Sequence, residues 1–179
     1  HMNVPYNYLP MEFKKSNKII SDWKKLIRSS DFTLGKSVIE FEKKFAKYIG
    51  AKYSISTNNG TDALILSLKS IGITKGDEVI TVCNTFYASA GAIVACGAKP
   101  VLVDCDARYQ IDVNEIKKKI NKKTKAIMPV HWGGASPDMF EIIKLAKKYK
   151  IHVLEDACMG IGGKLKGRSP GTFGIVNAF

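Results

Sequence analysis

The sequence of 179 residues contains no apolar run approaching the roughly 20 residues that a membrane-spanning helix requires. Its N-terminus shows no charged-then-apolar leader, and His1-Met2 reads as a cloning remnant. These absences predict a soluble, cytoplasmic protein with no membrane partner. The four cysteines, Cys83, Cys96, Cys105 and Cys158, form no CxxC pair and no Cys/His cluster. Neither a zinc site nor a disulfide framework is therefore expected, and reduced, mostly buried thiols are. Acidic residues are scarce, 16 against 28 Lys and Arg, for a formal net charge of +12. A nucleic-acid surface would interleave aromatics with its cations. Here Lys117, Lys118, Lys119, Lys144, Lys147 and Lys148 fall on helical segments without them, so they read as solvated helix faces. The positive field suits an anionic small molecule such as a phosphate or a sugar nucleotide. There is no internal repeat, low-complexity tract or linker.

What is present is an ordinary globular balance, 45 % hydrophobic and 25 % charged, in a chain long enough for one substantial core. From Lys36 onward, short apolar runs alternate with helix-period segments, which predicts an α/β fold with a mainly parallel sheet and helices on both faces. Helical spacing over 37–49 places Val38, Phe41, Phe45 and Ile49 on one face before Gly50 stops the helix. Residues 53–56 read as a strand, Asn58-Asn59-Gly60 as a turn, and Thr61 as the start of a helix carrying Leu64, Leu68 and Ile71. Strands are predicted at 78–82, 100–103, 125–130, 151–154 and 174–179, and a helix at 86–96. Asp112 with Glu115 reads as an acidic capping box. Ser136 and Pro137 read as the cap and first residue of a helix running to about 149. Residues 164–172 read as a hairpin-like excursion. The apolar end of the chain, with no helix after it, suggests that more protein follows.

In open α/β sheets, ligands collect at the C-terminal ends of the strands. The segment Thr57-Asn58-Asn59-Gly60-Thr61-Asp62-Ala63 combines a turn with a helix start, and there free amides and the positive helix end can cradle a phosphate. A plain turn with a threonine cap is the alternative. Phe86, after the 78–82 strand, can stack on a flat ring or pack in the core. Glu155-Asp156-Ala157-Cys158 places two acids after an apolar strand. A carboxylate there can pair with a protonated ring nitrogen or simply cap the strand. His131 and Trp132 sit at another predicted strand end and enter as candidate substrate contacts, a structural role for His131 being the alternative.

Taken in order, these segments resemble the DegT/DnrJ/EryC1/StrS family of sugar aminotransferases, pyridoxal-phosphate enzymes of fold type I. The resemblance runs from about Asp31 to Phe179. It rests on Asp31-Phe32-Thr33-Leu34-Gly35, Phe41-Glu42, Asn59-Gly60-Thr61-Asp62-Ala63-Leu64, Gly76-Asp77-Glu78-Val79-Ile80, Thr85-Phe86 with Ala88-Ser89, Gly97-Ala98-Lys99-Pro100-Val101, Thr124-Lys125-Ala126-Ile127 and Glu155-Asp156-Ala157-Cys158. It implies that residues 1–30 are an N-terminal segment and 31–179 the first part of the large cofactor domain, with a small C-terminal domain outside this chain. It also implies that Gly60, Thr61 and Asp62 hold the phosphate of pyridoxal 5'-phosphate, that Phe86 stacks on its ring, and that Asp156 pairs with the ring nitrogen. Met159 stands where the family usually has Gln or His, a donor to the ring hydroxyl, and a thioether cannot donate. The Schiff-base lysine would fall beyond Phe179. The implied activity is amino transfer, from glutamate, to a keto or aldehyde sugar that is nucleotide-linked, in a homodimer without metal or nucleic acid. A sugar dehydratase with His in place of that lysine, and a non-catalytic binding module, are the rival readings.

Overall fold

The computed structural model describes residues 7–179. Its centre is one five-stranded sheet of β1 (Glu78–Val82), β2 (Lys99–Val103), β3 (Thr124–Met128), β4 (His152–Asp156) and β5 (Val176–Ala178). The strand order is β2-β1-β3-β4-β5, and every neighbouring pair is parallel. A parallel sheet needs cover on both faces because its crossovers are helical. All five residues of β1 are accordingly buried. The helices are α1 (Leu9–Glu12), α2 (Asn17–Ser29), α3 (Lys36–Ile49), α4 (Gly60–Ser70), α5 (Tyr87–Ala95), α6 (Val113–Lys119) and α7 (Met139–Tyr149).

Strand alternation divides the core between two layers. On one face Ile80, Val82, Ile127 and Val153 pack against Ile116 of α6 and Met139, Ile142 and Leu145 of α7. On the other, Val79, Ala126, Met128 and Leu154 pack against Leu64 and Leu68 of α4 and Ala92 and Ile93 of α5. The expected α/β architecture, with helices on both faces, is what forms. Helix α5 is rich in small residues, with Ala88, Ser89 and Ala92 all buried, which lets it lie close to the sheet. By contrast, α1 and α2 bury none of their residues.

The local reading differs from the structure in several places, each for a physical reason. Residues 53–56 pair with no strand among the described residues; the Ser56 amide donates instead to Glu42 Oε1 at 2.7 Å, and Tyr53 and Ile55 stay exposed. Helix α3 ends as expected, with Gly50 at φ 87° donating to the Ala46 carbonyl. Its apolar face is nonetheless half used: Ile49 is buried and Phe45 packs edge-on against Phe179, while Phe41 is 55 % exposed. The cap of α7 is Asp138, not Ser136, because the Ser136 hydroxyl is engaged by His131 Nδ1 at 3.1 Å. Asp112 does cap α6 through the Asn114 amide, but Glu115 pairs with Lys118 at 2.6 Å and leaves the capping box half made. Finally, β4 runs through Glu155 and Asp156, so the two acids lie inside the strand and not after it.

Candidate active site

Asp156 ends β4, is 6 % exposed, and is locked at the backbone: its amide donates to the Pro129 carbonyl and its carbonyl accepts from the His131 amide. Its carboxylate reaches two neighbours. Oδ2 accepts from the Ser89 hydroxyl at 2.8 Å, and Oδ1 accepts a longer bond, 3.4 Å, from the Cys158 amide. Ser89 lies in the first turn of α5, whose N-cap is Phe86. The loop that carries Phe86 is thereby tied to the carboxylate at the end of β4. The Phe86 side chain is 60 % exposed, its ring tilted by 48° against that of Tyr87 with centroids 4.3 Å apart.

The start of α4 closes the third side. Asn59 is its N-cap in extended backbone, and its side chain accepts from the Asp62 amide at 2.8 Å and donates to Asp62 Oδ2 at 3.0 Å. Asp62 is thereby bonded to the cap residue through both its amide and its carboxylate. The amides of Gly60 and Thr61, in the first turn, have no acceptor within the helix and form the positive end of its dipole. Gly60 is placed against the chain that follows Asp156: a Cβ there would meet Cys158 Sγ at 3.2 Å and the Phe179 carbonyl at 3.9 Å. Partial burial, and then the Asp156 carboxylate, push the Cys158 thiol up to about 12.

Gly60, Thr61, Phe86 and Asp156 thus come together at one end of the sheet, with Met159 nearby and 53 % exposed. His131 does not join them at a surface. It is fully buried, its Nε2 lying 2.8 Å from Glu155 Oε2. Trp132 is half-buried in a single 3₁₀ turn, and its carbonyl accepts from Gln110 Nε2 at 3.0 Å. Two features escaped the sequence reading. Strand alternation sends Glu155 and Asp156 to opposite faces, a signal present in their adjacency. Glu155 then accepts from the amides of Gly171, Phe173 and Gly174, at 2.8, 2.5 and 2.7 Å, a loop 16 to 19 residues away. Thr85 and Ser89, four apart at a helix start, carried a usable spacing signal for the hydroxyl pair behind Asp156. The thiols are also more open than expected: Cys83 is exposed, Cys96 and Cys105 are half-buried, and Cys158 is exposed as a whole residue although its sulfur is partly covered where it lies against Gly60. Among the described residues, no group of His, Cys, Asp or Glu is arranged to hold a metal, and no helix is long and apolar enough to cross a membrane.

Comparison with known proteins places this geometry in context. The chain is 46 % identical to the dTDP-3-amino-3,6-dideoxy-alpha-D-galactopyranose transaminase of Aneurinibacillus thermoaerophilus, over 87 % of this chain and 43 % of that protein. Its fold is similar to the crystal structure of a DegT DnrJ EryC1 StrS aminotransferase from Brucella abortus, with a TM-score of 0.92 and 32 % identity over 98 % of this chain and 49 % of that one. It is also similar to NtdA from Bacillus subtilis with bound cofactor PMP, with a TM-score of 0.82 and 35 % identity over 92 % of this chain and 39 % of that one. The chain spans less than half the length of curated relatives it matches, from 40 % to 48 % among them. Residues 14–179 match the DegT/DnrJ/EryC1/StrS aminotransferase family, and the chain belongs to that family.

Proposed function

We propose that this chain is the first part of the cofactor domain of a pyridoxal-phosphate-dependent aminotransferase acting on a nucleotide-linked keto or aldehyde sugar, with glutamate as amino donor, in amino-sugar or polysaccharide biosynthesis. The observation that carries the reading is that the start of α4, packed against Cys158, and the start of α5 with the exposed Phe86, tied through Ser89, both adjoin the buried carboxylate of Asp156. An anion, a flat ring and a cationic ring nitrogen are what those groups accept, and pyridoxal phosphate carries all three. Similarity to a transaminase named for a dTDP-linked amino sugar, and to a structure holding PMP, supports the same choice.

Gly60 and Thr61 would hold the phosphate, since the missing Cβ leaves the space that 3.2 Å from Cys158 Sγ would otherwise close. Phe86 would cover one face of the ring and exclude water from it. Asp156 would hold a proton on the ring nitrogen, and so withstand its own burial as half of an ion pair. The bound cofactor supplies an electron sink for the carbon that gains or loses the amino group. Met159 would give the ring hydroxyl an apolar neighbour in place of a donor. His131, buried against Glu155, would support the site without touching substrate.

By the same reading, residues 31–179 begin the large domain, while the Schiff-base lysine and a small C-terminal domain lie beyond Phe179. The whole protein would be a cytoplasmic homodimer. The apolar side chains left open on α2 and α3, Trp23, Ile27, Phe41 and Tyr48 among them, favour burial against a second copy. The experiment is direct. The whole protein is incubated with pyridoxal phosphate, reduced with borohydride, digested and mapped by mass spectrometry, and a parallel sample is assayed for glutamate-dependent amination of a dTDP- or GDP-linked keto sugar. Cofactor fixed to one lysine after Phe179, with amino transfer, is the expected result. No cofactor retained after dialysis would overturn the reading.

A further inference from the structure

The Thr85 hydroxyl lies 2.9 Å from that of Ser89, and Ser89 Oγ lies 2.8 Å from Asp156 Oδ2. Ser89 is 1 % exposed and Asp156 6 %, so water does not compete for the bond between them, while Thr85 is half-buried. The direction of the chain follows from proton count. A carboxylate only accepts, so the single Ser89 proton goes to Asp156, and the Thr85 proton must then go to Ser89. Three residues from two distant parts of the sequence form one directional row, Thr85 to Ser89 to Asp156.

The row divides the two oxygens of Asp156. Oδ2 is held from the α5 side, while Oδ1 has only the 3.4 Å contact from the Cys158 amide. The weakly engaged oxygen is the one able to take a strong donor from outside. Free rotation about the Asp156 side chain would exchange the two oxygens and swing the carboxylate out of line. The Ser89 bond opposes that rotation, and Thr85 holds the Ser89 hydroxyl in the rotamer that makes it. Thr85 also directly precedes Phe86, so the same row sets the ring-stacking side chain relative to the carboxylate.

We infer that Ser89 and Thr85 are positioning residues that orient the Asp156 carboxylate toward a cationic N–H donor, Ser89 directly and Thr85 only through Ser89. This inference rests on the proposed cofactor role of Asp156. It extends that role to two hydroxyls that act through the Asp156 carboxylate.

The test uses the whole protein and four variants: Ser89→Ala, Ser89→Thr, Thr85→Val and the Ser89→Ala/Thr85→Val double, with Asp156→Asn as control. Two quantities are read: pyridoxal phosphate affinity by fluorescence titration, and turnover at saturating donor. Ser89→Ala is expected to lower turnover about tenfold or more and to weaken cofactor binding severalfold. Thr85→Val should do the same to a lesser degree, and Ser89→Thr, which keeps the hydroxyl, should stay near wild type. In the double variant Thr85→Val should add nothing, because its only route is already gone. If the two losses multiply, or if Ser89→Thr is as poor as Ser89→Ala, the hydroxyls matter only as packing and the inference fails. Normal Ser89→Ala turnover beside a damaged Asp156→Asn also sinks the inference but leaves the proposed function standing. Undamaged Asp156→Asn sinks both.

Discussion

His131 Nε2 lies 2.8 Å from Glu155 Oε2, with both side chains wholly out of solvent. Three backbone amides from residues 171–174 converge on the same carboxylate, which fixes Glu155 as acceptor and the imidazole Nε2 as donor. This cluster fastens the segment leading into β5 onto β4, and β5 in turn places Ala178 beside Asp156 in register. The first prediction concerns stability. Glu155→Ala would strand three amides and an imidazole in the core, and should destabilise the protein by about 3–5 kcal/mol, the usual cost of removing one partner of a buried pair. Glu155→Gln keeps an acceptor and should cost less. Urea unfolding of the two variants beside wild type, compared at the midpoint, checks the order and the size.

Asp156→Asn isolates charge from shape. Asn still hydrogen-bonds, so much of the binding geometry should survive, but it cannot keep a pyridine nitrogen protonated. The expected loss in single-turnover amino transfer, followed by cofactor absorbance, is about a hundred- to a thousandfold, or on the order of 3–4 kcal/mol, as for removal of one preorganised electrostatic contact. Near-normal turnover would identify Asp156 as an ordinary strand-end residue.

Gly60→Ala tests the phosphate cradle. The added methyl would sit 3.2 Å from Cys158 Sγ, close enough that the thiol or the start of α4, whose amides would hold the phosphate, must shift slightly. Pyridoxal phosphate affinity should fall about tenfold, consistent with loss of roughly one good hydrogen bond. Pairing it with Cys158→Ala relieves the protein contact without restoring the space for phosphate. A full recovery of affinity in that pair would show that crowding of the thiol, and not the cradle, caused the loss.

Cys158 gives a pH prediction. Partial burial first, and the Asp156 carboxylate second, raise its thiol from 9.0 to about 12. At pH 8 the reactive thiolate would then be about one part in ten thousand, against about one in ten for an ordinary thiol. Iodoacetamide at that pH should label Cys158 far more slowly than an unperturbed thiol in the unfolded protein, as read by mass spectrometry of time points. The linkage has a definite sign. Well below pH 9 the thiol is protonated in both folded and unfolded chains and contributes no pH dependence. Between pH 9 and about 12 only the unfolded chain releases the proton, so stability declines there, and Cys158→Ser should flatten that decline.

The sequence by itself determined the architecture. Alternation of short apolar runs with helix-period segments left little but a parallel sheet covered on both faces, because such strands cannot be solvated on either side. Gly50 ended α3 where its positive φ was needed, and the segments around Gly60, Phe86 and Asp156 stood out because a turn before a helix and the end of a strand are written in contiguous residues. Partnerships between distant segments were decided by the tertiary structure alone. Ser89 and Asp156 are 67 residues apart, and only the order β2-β1-β3-β4-β5, with α5 packed on one face, brings their oxygens to 2.8 Å. The same holds for His131, which looked like a strand-end candidate until Glu155 proved to be its buried partner, and for residues 53–56, whose extended backbone found the Glu42 carboxylate instead of a strand. Local propensity depends on neighbours within a few positions, whereas hydrogen-bond satisfaction in the core depends on which surfaces the fold presses together.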